Sequence, residues 1–559
     1  MVDLRLAAPA AACWSATIVG LVSPQQVSRV VVVVLVVTAA VAGWRSRDLR
    51  LRAHAMTVIG VCGIGAAGAV VVLLRVAAVD AAPIVDAVGK PVVEMTVAGD
   101  PMYWPGQQRF TVAVRVDDVS GRAQRPVAAR LAASSDVGDL LPGERLSARV
   151  RVAAAGAPGR DRLIAADLTA VGDVSRIADA PWWQRAAGDV RQRLREIAAN
   201  ALGGRAGGLL PGLILGDTGG LDQATRDNFR SAGLSHLVAV SGANLVLVVG
   251  AVLLCVRAGG GRPRTVFVVG VVAVVGFVIL VRPTDSVLRA AVMGGVGLAA
   301  GLSSRRSQAL PALGAAVVVV LLWWPEMALA PGFALSVAAT LGLVLWSVPI
   351  RFAMTNRGVP EWAAALLSMT VAAQILTTPL VIAVSGQVSV FAIPANLLAA
   401  PVVPLIGVAG TLAAAIGALG PRYGPQSAIA EILVRATGPG VRWLIAVADR
   451  LGGPGWVSPE VPGVLAAGVL VAVGCAVALI LRSGGGRPFG SVGGERPGGL
   501  HRVGGWMGGW TGERSAVSSP RRRRLPDRSR DLAHQRGAVA RGGRRRAGYP
   551  RAGRRGHGT

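Results

Sequence analysis

GLSHLVAVSGANLVLVVG, Gly233 to Gly250, is the stretch on which the reading of the whole chain turns. It is long and apolar enough to cross a bilayer, yet it carries His236, Ser241, Gly242 and Asn244. Polar and ionisable groups at membrane depth are costly, so they mark either a pathway or a buried interface. Read as one helix, His236, Val240 and Asn244 fall at i, i+4 and i+8 on one face. Ser241 stands three residues before Asn244 on the neighbouring ridge. Ser241-Gly242 weakens the helical ladder, which is tolerable only against protein or a wet cavity. Close helix-helix packing through small residues would produce the same pattern. These residues alone leave both readings open.

The surrounding composition favours a membrane. Of 559 residues, 52% are hydrophobic, and they lie in long runs. Apolar spans are expected at about 6–22, 27–41, 55–79, 265–281, 286–302, 309–324, 332–349, 362–384, 391–419 and 462–481. Arg45, Arg47, Arg50 and Arg52 crowd one short loop, which the positive-inside rule places in the cytoplasm. Arg257, Arg262 and Arg264, then Arg305 with Arg306, then Arg351 and Arg357, mark further cytoplasmic turns. They alternate with outward turns at Arg282-Pro283 and Trp323-Trp324-Pro325. Between 422 and 457 the register is weak, and the charges suggest interfacial helices.

From Pro83 to about Ala180 the period changes. VVEMTVAG, RFTVAVRV, PVAARLAA, RLSARVRVAA and RLIAADLTAV are short, valine-rich and partly alternating, with Gly, Pro and Asp turns between them. Five such strands suit a small barrel, for which an OB-like fold is the leading candidate. Tyr103, Trp104 and Phe110 are its aromatics, near Arg109, Arg115, Arg122, Arg125 and Arg130. A single-strand-binding groove and a solvated basic face are both compatible with that set. Pro181 to Asn200 reads as an amphipathic helix at the interface, with Trp182 and Trp183 at headgroup level.

The net charge of +28 is unevenly placed. Nineteen arginines against four acids in 482–559 give that tail +15. The tail has no hydrophobic period and reads as a solvated, disordered Arg/Gly-rich segment, its abrupt composition resembling a shifted reading frame. The four cysteines stand singly in apolar segments, without metal or redox spacing. No Walker A loop is present, and the five histidines never form a zinc-ligand cluster, so neither cofactor nor metal is expected. The glycines of 294–301 read as small-residue packing inside the membrane.

Two further features bear on chemistry. Asp285 and Arg289 are i, i+4 with the acid first, which suits a local ion pair; alternatively Arg289 meets a phosphate in a cavity. Pro379, Ser385, Gly386, Pro394, Asn396, Pro401 and Pro404 break two later spans, as helices lining substrate paths do, although neighbours can also heal such kinks.

Four blocks, FRSAGLSHLVAVSGANL, DSVLRAAVMGG, PGFALSVAATLGL and SVFAIPANLLAAPVVP, together resemble the ComEC family of competence proteins, in the family's order. The resemblance covers roughly 55–481. It implies N-terminal transmembrane helices (1–82), an extracytoplasmic OB-like domain (83–180), interfacial helices (181–232) and a channel domain (233–481), ahead of the tail (482–559). It implies a multi-pass protein of the cytoplasmic membrane that passes single-stranded DNA inward and is not an enzyme. Its partners would be DNA, membrane lipids, a DNA receptor and a cytoplasmic motor, with a homo-oligomer left open. The residues carried over are His236, Ser241, Gly242, Arg289, Ser336 and Asn396; Asn244 and Asp285 join them on their position. Asn244 stands where many members have histidine. Many members also end in a metallo-β-lactamase-like domain whose ligands this tail lacks, so nuclease activity is not carried over. The alternatives are a membrane hydrolase using Ser241 with His236, which would need a nearby acid, and a truncated member that does not transport.

Overall fold

The computed structural model describes residues 5–48, 51–104, 109–133, 137–155, 158–238, 242–302, 309–420 and 424–453, without the side chains of Ala243, Asp285 and residues 300–302. Ser241, the Arg305-Arg306 loop, the expected span 462–481 and the tail lie outside the described residues.

The chain is mostly helical, with a mixed sheet near its N-terminus. Helices α1 (Ala7–Val22) and α2 (Gln25–Arg45) are separated by Pro24, whose ring cannot donate into a continuing helix. Helix α3 (Arg52–Asp80) follows, and α1 packs against both α3 and α2.

The sheet comprises β1 (Val92–Val97), β2 (Met102–Trp104), β3 (Arg109–Val119), β4 (Arg122–Ala133), β5 (Arg145–Ala154) and β6 (Ala166–Ala178). Six strands form, one more than the alternation announced, because Met102–Trp104 adds a short strand on β3. Strand β1 pairs antiparallel with both β3 and β5, β5 pairs with β6, and β6 lies parallel to β4 through Leu131 and Leu168. With β4 on β3, the pairings return to β1. Alternate residues Val93, Met95, Val97, Val112, Val114 and Val116 face inward and are buried. At about 1.5–3 kcal/mol for each fully buried side chain, they dominate the stability of this part.

The helical part continues with α4 (Trp182–Leu202), α5 (Gly204–Leu215), α6 (Gln223–Ser231), α7 (Ser235–Val238), α8 (Gly242–Ala258), α9 (Pro263–Val281), α10 (Asp285–Leu302), α11 (Ala309–Trp323), α12 (Pro331–Thr355), α13 (Glu361–Ser385), α14 (Ala392–Ala399), α15 (Val403–Ala418) and α16 (Pro425–Gly452). Proline at the first turn starts α9, α12 and α16, where its missing N–H would be unpaired in any case. Asp222 caps α6 by accepting from the Thr225 amide at 2.7 Å.

Helices α2, α3, α9, α12 and α13 are long and apolar enough to cross a membrane; α14 and α15, bent by 49°, form a broken sixth candidate. Helices α1, α8, α10 and α11 are apolar but shorter. In the stretch from Gly233, helix starts at Ser235 with α7 (Ser235–Val238) and is described again as α8 from Gly242; residues 239–241 lie outside the described residues. Among the described residues of 422–457 the chain forms one 28-residue helix, α16, which is not among the helices long and apolar enough to cross a membrane and which buries Ala430, Val434, Val441, Leu444 and Ala448. Those positions follow a helical stripe, so core packing stabilises this helix in spite of its charges.

The expected outward turns fall on one side together with the sheet. Asp100, between β1 and β2, bonds Arg282 at the end of α9, and Arg75 of α3 donates to the Trp323 carbonyl at the end of α11. The turn at Arg160–Leu163, between β5 and β6, packs on the one at Pro325–Leu329.

Candidate functional site

The four sequence blocks, far apart in the chain, meet in space. Gly233 has φ +73°, a backbone conformation that favours glycine, and a Cβ there would lie 2.8 Å from the Ala392 Cβ. Beside it the Ser389 hydroxyl donates to the Ser231 carbonyl at 2.6 Å, which ties the fourth block to the first. Gly242, the first residue of α8, lies against Ala290 of α10, with the Arg289 guanidinium just beyond. Arg289 Nε in turn donates to Ser336 Oγ of α12 at 2.7 Å. The second and third blocks are thereby joined to the first.

Arg289 is the electrostatic centre of this junction. It is part-buried, and the described side chains that meet it are neutral: Ser336, and Met293 Sδ at 3.4 Å from Nη1. The expected partner Asp285 is the first residue of α10, but its side chain lies outside the described atoms. A guanidinium with neutral partners keeps its full charge for an anion. Around it, α10 and α12 are unusually open. Along its 25 residues α12 buries Phe333 and Gly342 alone, and the stretch from Arg289 to Gly297 on α10 is part-exposed throughout. Gly342 is buried because α12 runs so close to α13 that a Cβ would overlap the Ala372 carbonyl.

The remaining predicted residues are dispersed. His236 is exposed on α7 and Asn244 is buried on α8, with residues 239–241 between them outside the described residues. Asn244 Nδ2 donates to the Leu213 carbonyl of α5 at 3.0 Å, and Gly407 of α15 approaches its Oδ1. Asn396 spends its amide within its own helix, on the Ala392 carbonyl at 2.7 Å. With Ser241 undescribed, no geometry can be drawn for a Ser241–His236 pair.

A second polar cluster escaped the sequence reading. Arg191 of α4, only 7% exposed, donates from Nη2 to Asp100 Oδ2 at 3.2 Å and from Nη1 to the Leu215 and Leu280 carbonyls at 3.1 and 3.3 Å. Arg282 donates from Nε to Asp100 Oδ1 at 2.9 Å and from Nη1 to Gln184 Oε1. Buried Asp217 lies 3.1 Å from Arg195 Nε and 3.7 Å from Arg191. The signal was present: Ala187, Leu194 and Ala198 form the buried stripe of α4, and Arg191 stands on that stripe. Arg282 has φ +77°, uncommon for a residue with a side chain, so packing holds it in place.

On the sheet, β2 exposes Met102, Tyr103 and Trp104, and Tyr103 packs on Phe110 with ring centroids 5.0 Å apart. Arg109, Arg115, Arg122 and Arg125 are exposed nearby on β3 and β4, whereas Arg130 is bound to Asp167 and Asp161.

Residues 213–483 match a family model described as competence protein. The chain is 28% identical over 195 residues to ComE operon protein 3 of Bacillus subtilis (strain 168), covering 35% of this chain and 24% of that protein. The alignment thus spans about a quarter of the relative's length. No solved structure matches.

Proposed function

This chain belongs to the competence-protein family, and we propose that it passes single-stranded DNA across the cytoplasmic membrane. It is a multi-pass membrane protein, and the proposal concerns what crosses and by which route. The observation that carries it is the meeting of three of the four blocks at Arg289, a cation with neutral described partners between two loosely covered helices, with the fourth block joined to the first at Gly233.

A polyanion crossing a low-dielectric slab needs cations and donors that hold phosphate at each step without retaining it. A guanidinium whose described partners are a hydroxyl and a thioether suits that task, since a phosphate displaces weak partners and can leave again. On this reading α10 and α12 line the conduit, and the broken pair α14–α15 closes part of it. The β domain is an OB-like barrel on the outer face: its pairings close on β1 with a parallel β4–β6 contact. Tyr103 and Trp104 would stack bases there, with Arg109 and Arg115 along the phosphates. A receptor would deliver the strand and a cytoplasmic motor would draw it in. The open flanks of α12 would also suit contact with a second copy.

Cysteine accessibility tests the route. With the four native cysteines replaced, Ala290→Cys and Met293→Cys in nanodiscs should react with a membrane-impermeant thiol reagent, and single-stranded DNA should slow the reaction. Absence of reaction at both positions in folded protein would refute the conduit.

A further inference from the structure

The Asp100 cluster combines two buried arginines with one replaceable carboxylate. We propose that Arg191 and Arg282 form a phosphate slot at the mouth of the conduit, and that Asp100 occupies it as a stand-in for the backbone phosphate of the incoming strand. The inference rests on the proposed passage of DNA and adds to it a named binding site and a resting state.

Three observations carry it. First, the two Asp100 oxygens go to different arginines, Oδ1 to Arg282 Nε at 2.9 Å and Oδ2 to Arg191 Nη2 at 3.2 Å. Two non-bridging oxygens of one phosphodiester would be met in the same way. A diester carries one negative charge, as Asp100 does, so the exchange leaves the net charge of the cluster unchanged.

Second, the arginines are held without Asp100. Arg191 is fixed by the Leu215 and Leu280 carbonyls and lies near Asp217; Arg282 is fixed by Gln184. These partners remain when Asp100 leaves, so the slot keeps its shape. Third, the carboxylate is the accessible member: its side chain is 36% exposed, against 8% and 10% for the Arg191 and Arg282 side chains. Solvent therefore reaches Asp100 first, on the short link between β1 and β2. The link leads within three residues to Tyr103, so a strand stacked on that ring has its backbone beside the slot.

A plain staple between sheet and helices would use the same contacts, and the two readings oppose each other in binding. The test uses the full chain in lipid nanodiscs and the fluorescence anisotropy of a labelled oligothymidylate. Asp100→Asn empties the slot of charge while keeping its volume. It should bind roughly tenfold tighter, with a log–log salt slope steeper by about 0.7, the value for one further single-strand phosphate contact. Adding Arg282→Gln should abolish the gain, and Asp100→Glu should bind as the unmodified chain does. Equal or weaker binding by Asp100→Asn would overturn the proposal.

Should Asp100→Asn fail to fold, hydrogen exchange on the unmodified chain decides. Oligonucleotide should speed amide exchange across residues 98–100 as the link is released; unchanged or slower exchange would overturn the slot. Because neither readout depends on transport, a chain that binds in this way but conducts no DNA refutes the passage reading and leaves the slot standing.

Discussion

Replacing Arg289 by methionine separates a cation kept for function from one kept for packing. The guanidinium is part-buried, and its described partners are a hydroxyl at 2.7 Å and a thioether at 3.4 Å. A hydrogen bond from a charged donor contributes about 1.5–3 kcal/mol, whereas withdrawing an ion from water costs several kcal/mol even after relaxation. Arg289→Met, of similar volume, should therefore leave stability unchanged or raise it by up to about 2 kcal/mol. Its effect on transport runs the other way. A phosphate about 4 Å from the guanidinium gains about 4 kcal/mol at an effective dielectric of 20 and about 1 kcal/mol in bulk water. Losing that should slow passage by a factor between about 5 and about 10³, since 1.4 kcal/mol is tenfold. DNA uptake is measured in cells whose own copy is replaced, with protein level checked, and unfolding temperature is measured in detergent. Normal uptake with a lowered unfolding temperature would refute the argument and make Arg289 a packing residue.

Gly233→Ala forces a side chain into a positive-φ backbone and against Ala392, so it should cost about 1–3 kcal/mol and lower uptake in proportion to folded protein, as read by uptake normalised to ligand-free thermal stability. Tyr103→Ala and Trp104→Ala should each weaken oligonucleotide binding by about 1–3 kcal/mol with little change in the salt slope; a change in slope without loss of affinity would argue against stacking. The Asp449 carboxyl is held below its usual range chiefly by the side-chain hydrogen bond from Arg205, with Asn228 assisting against the opposing effect of burial. Because its folded value is depressed, this contribution is complete above the unfolded value of about 3.9 and is lost as pH falls through the folded value. The stability gap between the unmodified chain and Arg205→Gln should accordingly be steady from pH 7 to 5 and close below pH 4 in thermal melts.

Much of this was legible because periodicity is local. The valine alternation of β1 and β3 and the apolar runs of α2, α3 and α9 are written in adjacent residues, and their boundaries fall within a few positions of the expected ones. What failed was whatever depended on a partner. Hydropathy does not register that Gly233 must turn to meet Ala392, so nothing in it shows that helix starts only at Ser235. The continuity of α16 rests on its buried stripe, which the charges along it do not announce. At the site, Arg289 and Ser336 were picked out separately, and only folding brings them together. Asp100 offered no local signal at all, since its meaning lies in arginines 91 and 182 residues away.

The tie between Asp100 and its two arginines sets a condition on dissecting this molecule. A fragment excised at Pro83 and Pro181 would carry the aromatic strand and the aspartate away from both guanidinium groups. Freed of its counter-ions, that aspartate repels nucleic acid, and the excised sheet would understate the affinity of its parent. The complementary helical fragment, with the arginine pair laid bare, would overstate it. Affinities from the two halves should not sum to that of the whole, and the direction of each error follows from which half keeps the carboxylate.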